Sequence, residues 1–227
     1  MRKILSLILL FAVTSVYAGN NDIYITQSGT GLTMNIDQIG DTNKVGTSQT
    51  RATFTGTSMT VDIDQVGDSN TMAASVAQGN STSFTASTTG DSNTTTLALG
   101  ASGDVANTDF DYAATGDSNT VTFTQGAAAT ATAGNQDIVI AGNSNDLNAT
   151  CEVVGCINNW DIDGDSNDID TTQTGNSDHS ITAEIDGSTN NIDIDQTNST
   201  GSVSDVVVIT STTSNATIDI DQCTSGC

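Results

Sequence analysis

A four-residue motif of Gly, Asp, Ser and Asn recurs along most of this chain and constrains its fold more than any other feature. It reads Gly40-Asp41-Thr42-Asn43, Gly67-Asp68-Ser69-Asn70, Gly90-Asp91-Ser92-Asn93 and Gly116-Asp117-Ser118-Asn119. It continues as Gly142-Asn143-Ser144-Asn145, Gly164-Asp165-Ser166-Asn167 and Gly187-Ser188-Thr189-Asn190, with an eighth, degraded copy ending at Asn215. The copies lie 22 to 27 residues apart, the spacing of solenoid repeats. These residue types tolerate left-handed backbone or bond their own main chain, so each copy reads as a tight turn.

Each turn leads into an alternating apolar–polar run, the pattern of a half-buried strand. Strand side chains alternate between faces, so Asn190, Ile192, Ile194 and Gln196 share one face and Asn191, Asp193 and Asp195 the other. The same phase places Asn119, Val121, Phe123 and Gln125 inward, and Asn167, Ile169, Thr171 and Gln173 inward. A second strand precedes each turn, as in Val61-Asp62-Ile63-Asp64-Gln65 and Trp160-Asp161-Ile162-Asp163. One repeat cannot bury its apolar face alone, but stacked repeats can. Proline, which interrupts strand ladders, is absent. The expected fold is therefore all-β: an amyloid-like β-solenoid of about eight stacked strand–turn–strand rungs, roughly 40 Å long at the usual strand spacing. Inward Asn and Gln side chains would form amide ladders from rung to rung. The Asn positions are Asn43, Asn70, Asn93, Asn119, Asn145, Asn167, Asn190 and Asn215. The Gln positions are Gln27, Gln38, Gln49, Gln65, Gln125, Gln173, Gln196 and Gln222.

Gln38-Ile39-Gly40-Asp41-Thr42-Asn43 followed by Gln49 has the spacing Gln-x-Gly-x-x-Asn with a second Gln six residues after the Asn. Gln65 to Asn70 repeats the first half; Asn119 to Gln125, Asn167 to Gln173 and Asn190 to Gln196 repeat the second. The pattern resembles the curlin repeat of curli subunits, the extracellular amyloid fibres of Gram-negative bacteria, over roughly Asp22 to Gln222. The first Gln is replaced at Thr88, Ala114, Ile140, Ile162, Ile185 and Thr210, and Leu99 and Cys151 occupy second-Gln positions. The resemblance implies self-association into fibres, a nucleator subunit and an outer-membrane secretion pore as partners, and a place in adhesion and biofilm matrix.

The remaining features fit an exported structural protein. Residues 1–18 read as a signal peptide: Arg2 and Lys3, an apolar run from Ile4 to Val16, then Val16-Tyr17-Ala18 with small residues at the cleavage positions. Residues 19–222 are the solenoid and 223–227 a Cys-bearing tail. Beyond the leader only Lys44 and Arg51 face 27 acidic residues, a balance of −25. So few cations exclude nucleic-acid binding, which replaces counterions on phosphates with Lys and Arg. Export permits disulfides: Cys151 and Cys156 are placed for a local bridge, and Cys223 and Cys227 for closing the C-terminus or linking chains.

Outward Asp-x-Asp pairs on neighbouring rungs would stand about 5 Å apart and repel by roughly 0.8 kcal/mol per pair in water. Raised carboxyl pKa values, divalent cations or chain displacement would relieve this, and a diffusely screened face is the expectation over specific calcium sites. Alternating Thr at Thr94–Thr96 and Thr120–Thr124 reads as strand propensity before it reads as an ice-binding face. His179, the single histidine, is expected to cap a turn. With no second His and no phosphate loop, the expectation is a non-enzyme without cofactors. The leading expectation is a secreted or cell-surface curli-like fibre subunit; the rival is a monomeric binding solenoid, either ice-binding or a cation-dependent adhesin.

Overall fold

The computed structural model describes residues 21–47, 49, 51–100, 105–106, 109–126, 135–152, 155–175, 178–198 and 205–224. The expected leader and Cys227 lie outside them.

The structure is all-β, with 81% of the described residues in strand, and its parallel strands wind into a β-solenoid of about seven turns. Among the described residues eight levels are stacked, seven of them carrying the Gly-x-x-Asn turn, and two columns of strands form the walls. The turn-preceding column stacks Thr33–Ile39, Thr60–Val66, Ser83–Thr89, Asp109–Thr115, Asn135–Ala141 and Ile157–Asp163. The turn-following column stacks Asn21–Ile23, Thr42–Val45, Ser69–Asn80, Ser92–Leu99, Ser118–Gln125, Ser144–Cys151 and Ser166–Gly175. The last two strands, Ser180–Asn198 and Val206–Thr224, run through both columns. Three shorter strands, Thr26–Thr30, Ala52–Thr57 and Val105–Ala106, extend the turn-following wall near the N-terminal end.

Burial follows the alternation residue by residue. Ser118–Gln125 is exposed at Thr120 and half-buried at Thr122 and Thr124, while Asn119, Val121, Phe123 and Gln125 are buried. The two inner faces meet in one continuous core from Ile36 to Ile194. It is aromatic in its first half: Phe110 stacks on Phe123 at 5.0 Å between ring centroids and tilts against Phe84 at 5.9 Å. Farther on it is aliphatic, with Ile169, Ile185, Ile192 and Ile194 buried.

The motif glycines are required for a different reason than turn conformation. Those from Gly67 to Gly187 do not take positive φ. Instead each passes against the level before it: a Cβ on Gly67 would stand 1.7 Å from the Gly40 carbonyl oxygen, and one on Gly116 1.7 Å from that of Gly90. Inter-level hydrogen bonds continue through the turn, as from Gly40 N to Val66 O at 2.9 Å and Ser69 N to Asp41 O at 3.0 Å. Only glycine lets neighbouring turns approach this closely.

Candidate functional site

The most regular chemical feature is an asparagine ladder inside the tight turns. Each side-chain amide donates to the next Asn carbonyl oxygen: Asn21 to Asn43 (3.0 Å), Asn43 to Asn70 (3.1 Å), Asn70 to Asn93 (2.8 Å) and Asn93 to Asn119 (2.8 Å). It continues from Asn119 to Asn145 (2.9 Å), Asn145 to Asn167 (2.8 Å) and Asn167 to Asn190 (2.9 Å). The same NH2 groups also reach backbone carbonyls, as Asn43 does to Val66 O (2.8 Å) and Asn119 to Ala141 O (3.2 Å). The row is buried from Asn43 to Asn190, so every amide in it replaces hydration with partners on adjacent levels.

The ladder starts earlier and ends earlier than the motif predicts. Asn21 heads it, although no Gly-Asp-Ser turn precedes that residue. The missed signal is the six-residue step from Asn21 to Gln27, the step that joins Asn to Gln in the regular copies. Asn215 is not in it: Asn190 pairs with Ala216, Asn215 pairs with Thr189 and is exposed, and the Asn190 amide donates to Ser211 Oγ at 3.2 Å. The cause is length, since Asn215 stands seven residues before Gln222 and the regular copies allow six. By the same shift Ser211, not Thr210, takes the first-Gln position opposite Ile185.

Glutamine forms short runs rather than one ladder. Gln65 donates to Gln38 at 2.8 Å, and Gln38 donates to the Asn21 carbonyl at 2.9 Å. At the other end Gln222 donates to Gln196 at 2.6 Å and Gln196 to Gln173 at 2.7 Å. Gln125 instead accepts from Gln136 on the opposite wall. Gln49 is a correction: it lies exposed in a bend. Its column position belongs to Phe54, which aligns with Gln27 on one side and Val76 on the other. Five residues inserted after Val45 push Gln49 out, and a counting rule along the chain cannot detect them. Between the Gln runs, Tyr112 sits buried with its hydroxyl between Thr88 (2.8 Å) and Thr95 (2.6 Å), and burial raises its pKa against those two bonds.

Carboxylates line up outside. Asp170 opposes Asp193, which opposes Asp219; Asp195 opposes Asp221, and Asp146 opposes Asp168. Partial desolvation, then Asp168, Asp193 and Asp146, raises the Asp170 pKa; desolvation, then Asp193, Asp221 and Asp219, raises that of Asp195. Asp62 and Asp111 are raised in the same way, each first by desolvation. Amides break some rows: Asn191 donates to Asp168 at 2.8 Å and Asn159 to Asp137 at 2.7 Å. Among the described residues no group of three or more His, Cys, Asp or Glu side chains is arranged to hold a metal ion. Thr71, Thr94 and Thr120 form one outward Thr column, and Thr96 pairs with Thr122.

Cys151 and Cys156 form a disulfide across the looser turn, and Cys223 is also disulfide-bonded. His179 is buried beside the first bridge, where its Nδ1 accepts from Cys156 N at 3.2 Å. Its backbone N–H donates to Asp205 at 3.0 Å, and burial lowers its pKa.

The end levels complete the geometry. The partly buried apolar side chains packed against the core are Ile23, Ile25, Leu32, Met34, Val207 and Ile209, all at one end or the other. Val206–Thr224 pairs with one neighbour only among the described residues, and Val206, Val208, Ile218 and Ile220 are 41–49% exposed. No family model, curated protein or solved structure matches this chain.

Proposed function

We propose that this protein is a structural, non-catalytic subunit of an extracellular curli-like amyloid fibre, assembled by end-to-end stacking of solenoids and serving adhesion or biofilm matrix. The observation that carries the reading is the state of the two end levels. Core columns that are sealed throughout the interior are half-open at Ile23, Ile25 and Met34 and at Val207 and Ile209, beside strand edges that have one neighbour among the described residues. Edges of this kind template further strands. A second copy would cover both the apolar surface and the edge hydrogen-bonding groups. Export through the expected leader, a nucleator and a secretion pore belong to the same proposal.

A monomeric binding solenoid is the second reading. The eighth level favours it, because Ser211, Thr213 and Ala216 stand there where the level below has Ile185, Gly187 and Asn190. A level that has lost its turn glycine and its ladder Asn would serve as a cap. Electron microscopy and fibre diffraction of purified protein separate the two. Unbranched fibres with a meridional reflection near ~4.8 Å are expected; light scattering that stays monomeric across salt, pH and time would remove the fibre reading.

A further inference from the structure

Resting on the fibre reading, the inference concerns how one copy meets the next. The turn-following wall starts at Asn21–Ile23 and Thr26–Thr30 and its last strand covers residues 215–224. The turn-preceding wall starts at Thr33–Ile39 and its last strand covers residues 206–213. One more level therefore continues both walls at once. Asn21 shares a column with Ala216, through the Asn row, and Gln27 shares one with Gln222, through Phe54, Val76 and Gln125. We propose that a second copy of this chain docks in a single parallel register, its residues 21–27 on residues 216–222 and its Thr33–Ile39 strand on residues 206–212.

Five inner pairs in this register are matched, whereas Asn21 over Ala216 and Gln38 over Ser211 are unlike pairs. Ile23 meets Ile218, Ile25 meets Ile220, Gln27 meets Gln222, Met34 meets Val207 and Ile36 meets Ile209. The outer pairs carry the second argument. Inside the chain carboxylates oppose one another along Asp170, Asp193 and Asp219 and along Asp195 and Asp221. At the junction those rows stop: Asp219 meets Tyr24, Asp221 meets Thr26, Thr217 meets Asp22 and Thr210 meets Asp37. Asp22 is itself backed by Lys44, its register partner and one of the two cations beyond residue 18. A slip of two residues would set Asp219 against Asp22 and a Gln against an Ile. The junction thus ends the carboxylate rows of the acidic half, and the contact is head-to-tail, extending without closure.

The test mixes two single variants, Thr26→Cys and Asp221→Cys, during assembly under oxidising conditions, with cross-links mapped by mass spectrometry. Parallel partners about 4.8 Å apart fall within disulfide reach. A Tyr24→Cys and Asp221→Cys mixture, at about 8 Å, falls outside it. The expected result is fibres with a 26–221 link between copies and little 24–221 link. In a second arm, Tyr24→Asp should raise the critical concentration about fourfold or more at pH 7, with little change at pH 3, because it opposes Asp219 with a new carboxylate. Fibres whose links run 24–221 or 221–221 would overturn the register and leave the fibre reading standing. Wild-type protein that forms no fibres would overturn both.

Discussion

The first and second halves of the solenoid solve one problem with different side chains. From Phe54 to Phe123 the core is a file of rings, and the outer wall carries Thr71, Thr94, Thr96, Thr120 and Thr122. From Ile138 to Ile194 the core is chiefly isoleucine, with Trp160 as its one large ring, and the outer wall carries the long carboxylate rows. What does not change between the halves is the turn: Asn bonds Asn, and glycine passes against the glycine before it. The backbone is therefore specified by a few turn atoms, while the core needs only apolar volume of the right sum. Ala86 beside Tyr112, and Ala183 beside Trp160, show that sum being kept between neighbouring levels.

Removing a ring should expose the difference most. Phe110→Ala takes out the residue that contacts Phe84, Tyr112 and Phe123 together, and about 3–5 kcal/mol of unfolding free energy should go with it. Ile169→Val in the second half removes one methylene and should cost about 0.5–1.5 kcal/mol. Urea denaturation of the two variants measures the gap; equal losses would mean the halves are packed alike.

Next in size is the feature both halves share. Asn119→Ala removes an acceptor for Asn93, a donor to Asn145 and the bond to Ala141 O, all away from water. About 2–3 kcal/mol should be lost, since buried partners are left unsatisfied. Asn167→Ala should cost the same in the other half, whereas Asn215→Ala, on an exposed side chain outside the ladder, should leave the urea midpoint within error. Tyr112→Phe is smaller: it strands the Thr88 and Thr95 hydroxyls and should cost about 1–2 kcal/mol.

The legible part of the fold was the part with one physical solution. A Gly-Asp-Ser-Asn turn every 22 to 27 residues, flanked by alternating strands, leaves stacking as the way to bury the inner faces. Inner and outer faces follow from alternation alone, as at Asn119 to Gln125. Spacing along the chain failed where the chain adds residues. Gln49 sits beyond an insertion that register absorbs as a bend, so Phe54 holds its column. Asn215 sits one residue early, so Ala216 replaces it. Nor could alternation reveal that a tyrosine would stand in for glutamine, because Thr88 at a first-Gln position acquires meaning only through its bond to the Tyr112 hydroxyl. Apolar volume is summed across neighbouring levels that lie far apart in sequence.

The smallest effect concerns the acidic second half. The Asp170 pKa is raised by desolvation and by Asp168, Asp193 and Asp146, so the folded chain holds its proton to higher pH than the unfolded chain does. Its favourable contribution is complete below the ordinary value of 3.8 and is lost as pH rises through the raised value. Asp195 behaves alike. His179 runs the other way: its lowered pKa gives stability that is present above 6.5 and lost as pH falls below it. Stability should therefore show a carboxylate decline on the acid side of neutrality and a separate histidine rise near pH 6.5. Asp170→Asn should reduce the first and leave the second unchanged. Because Asp170 is exposed and its neighbours are screened, the gain over wild type at pH 7 should be no more than about 0.5 kcal/mol, vanishing by pH 3. Magnesium should shrink the same difference at pH 7 by screening the row. Urea midpoints at pH 3, 5 and 7, with and without magnesium, measure it; an Asp170→Asn gain that persisted at pH 3 would show that the carboxylate row is not its source.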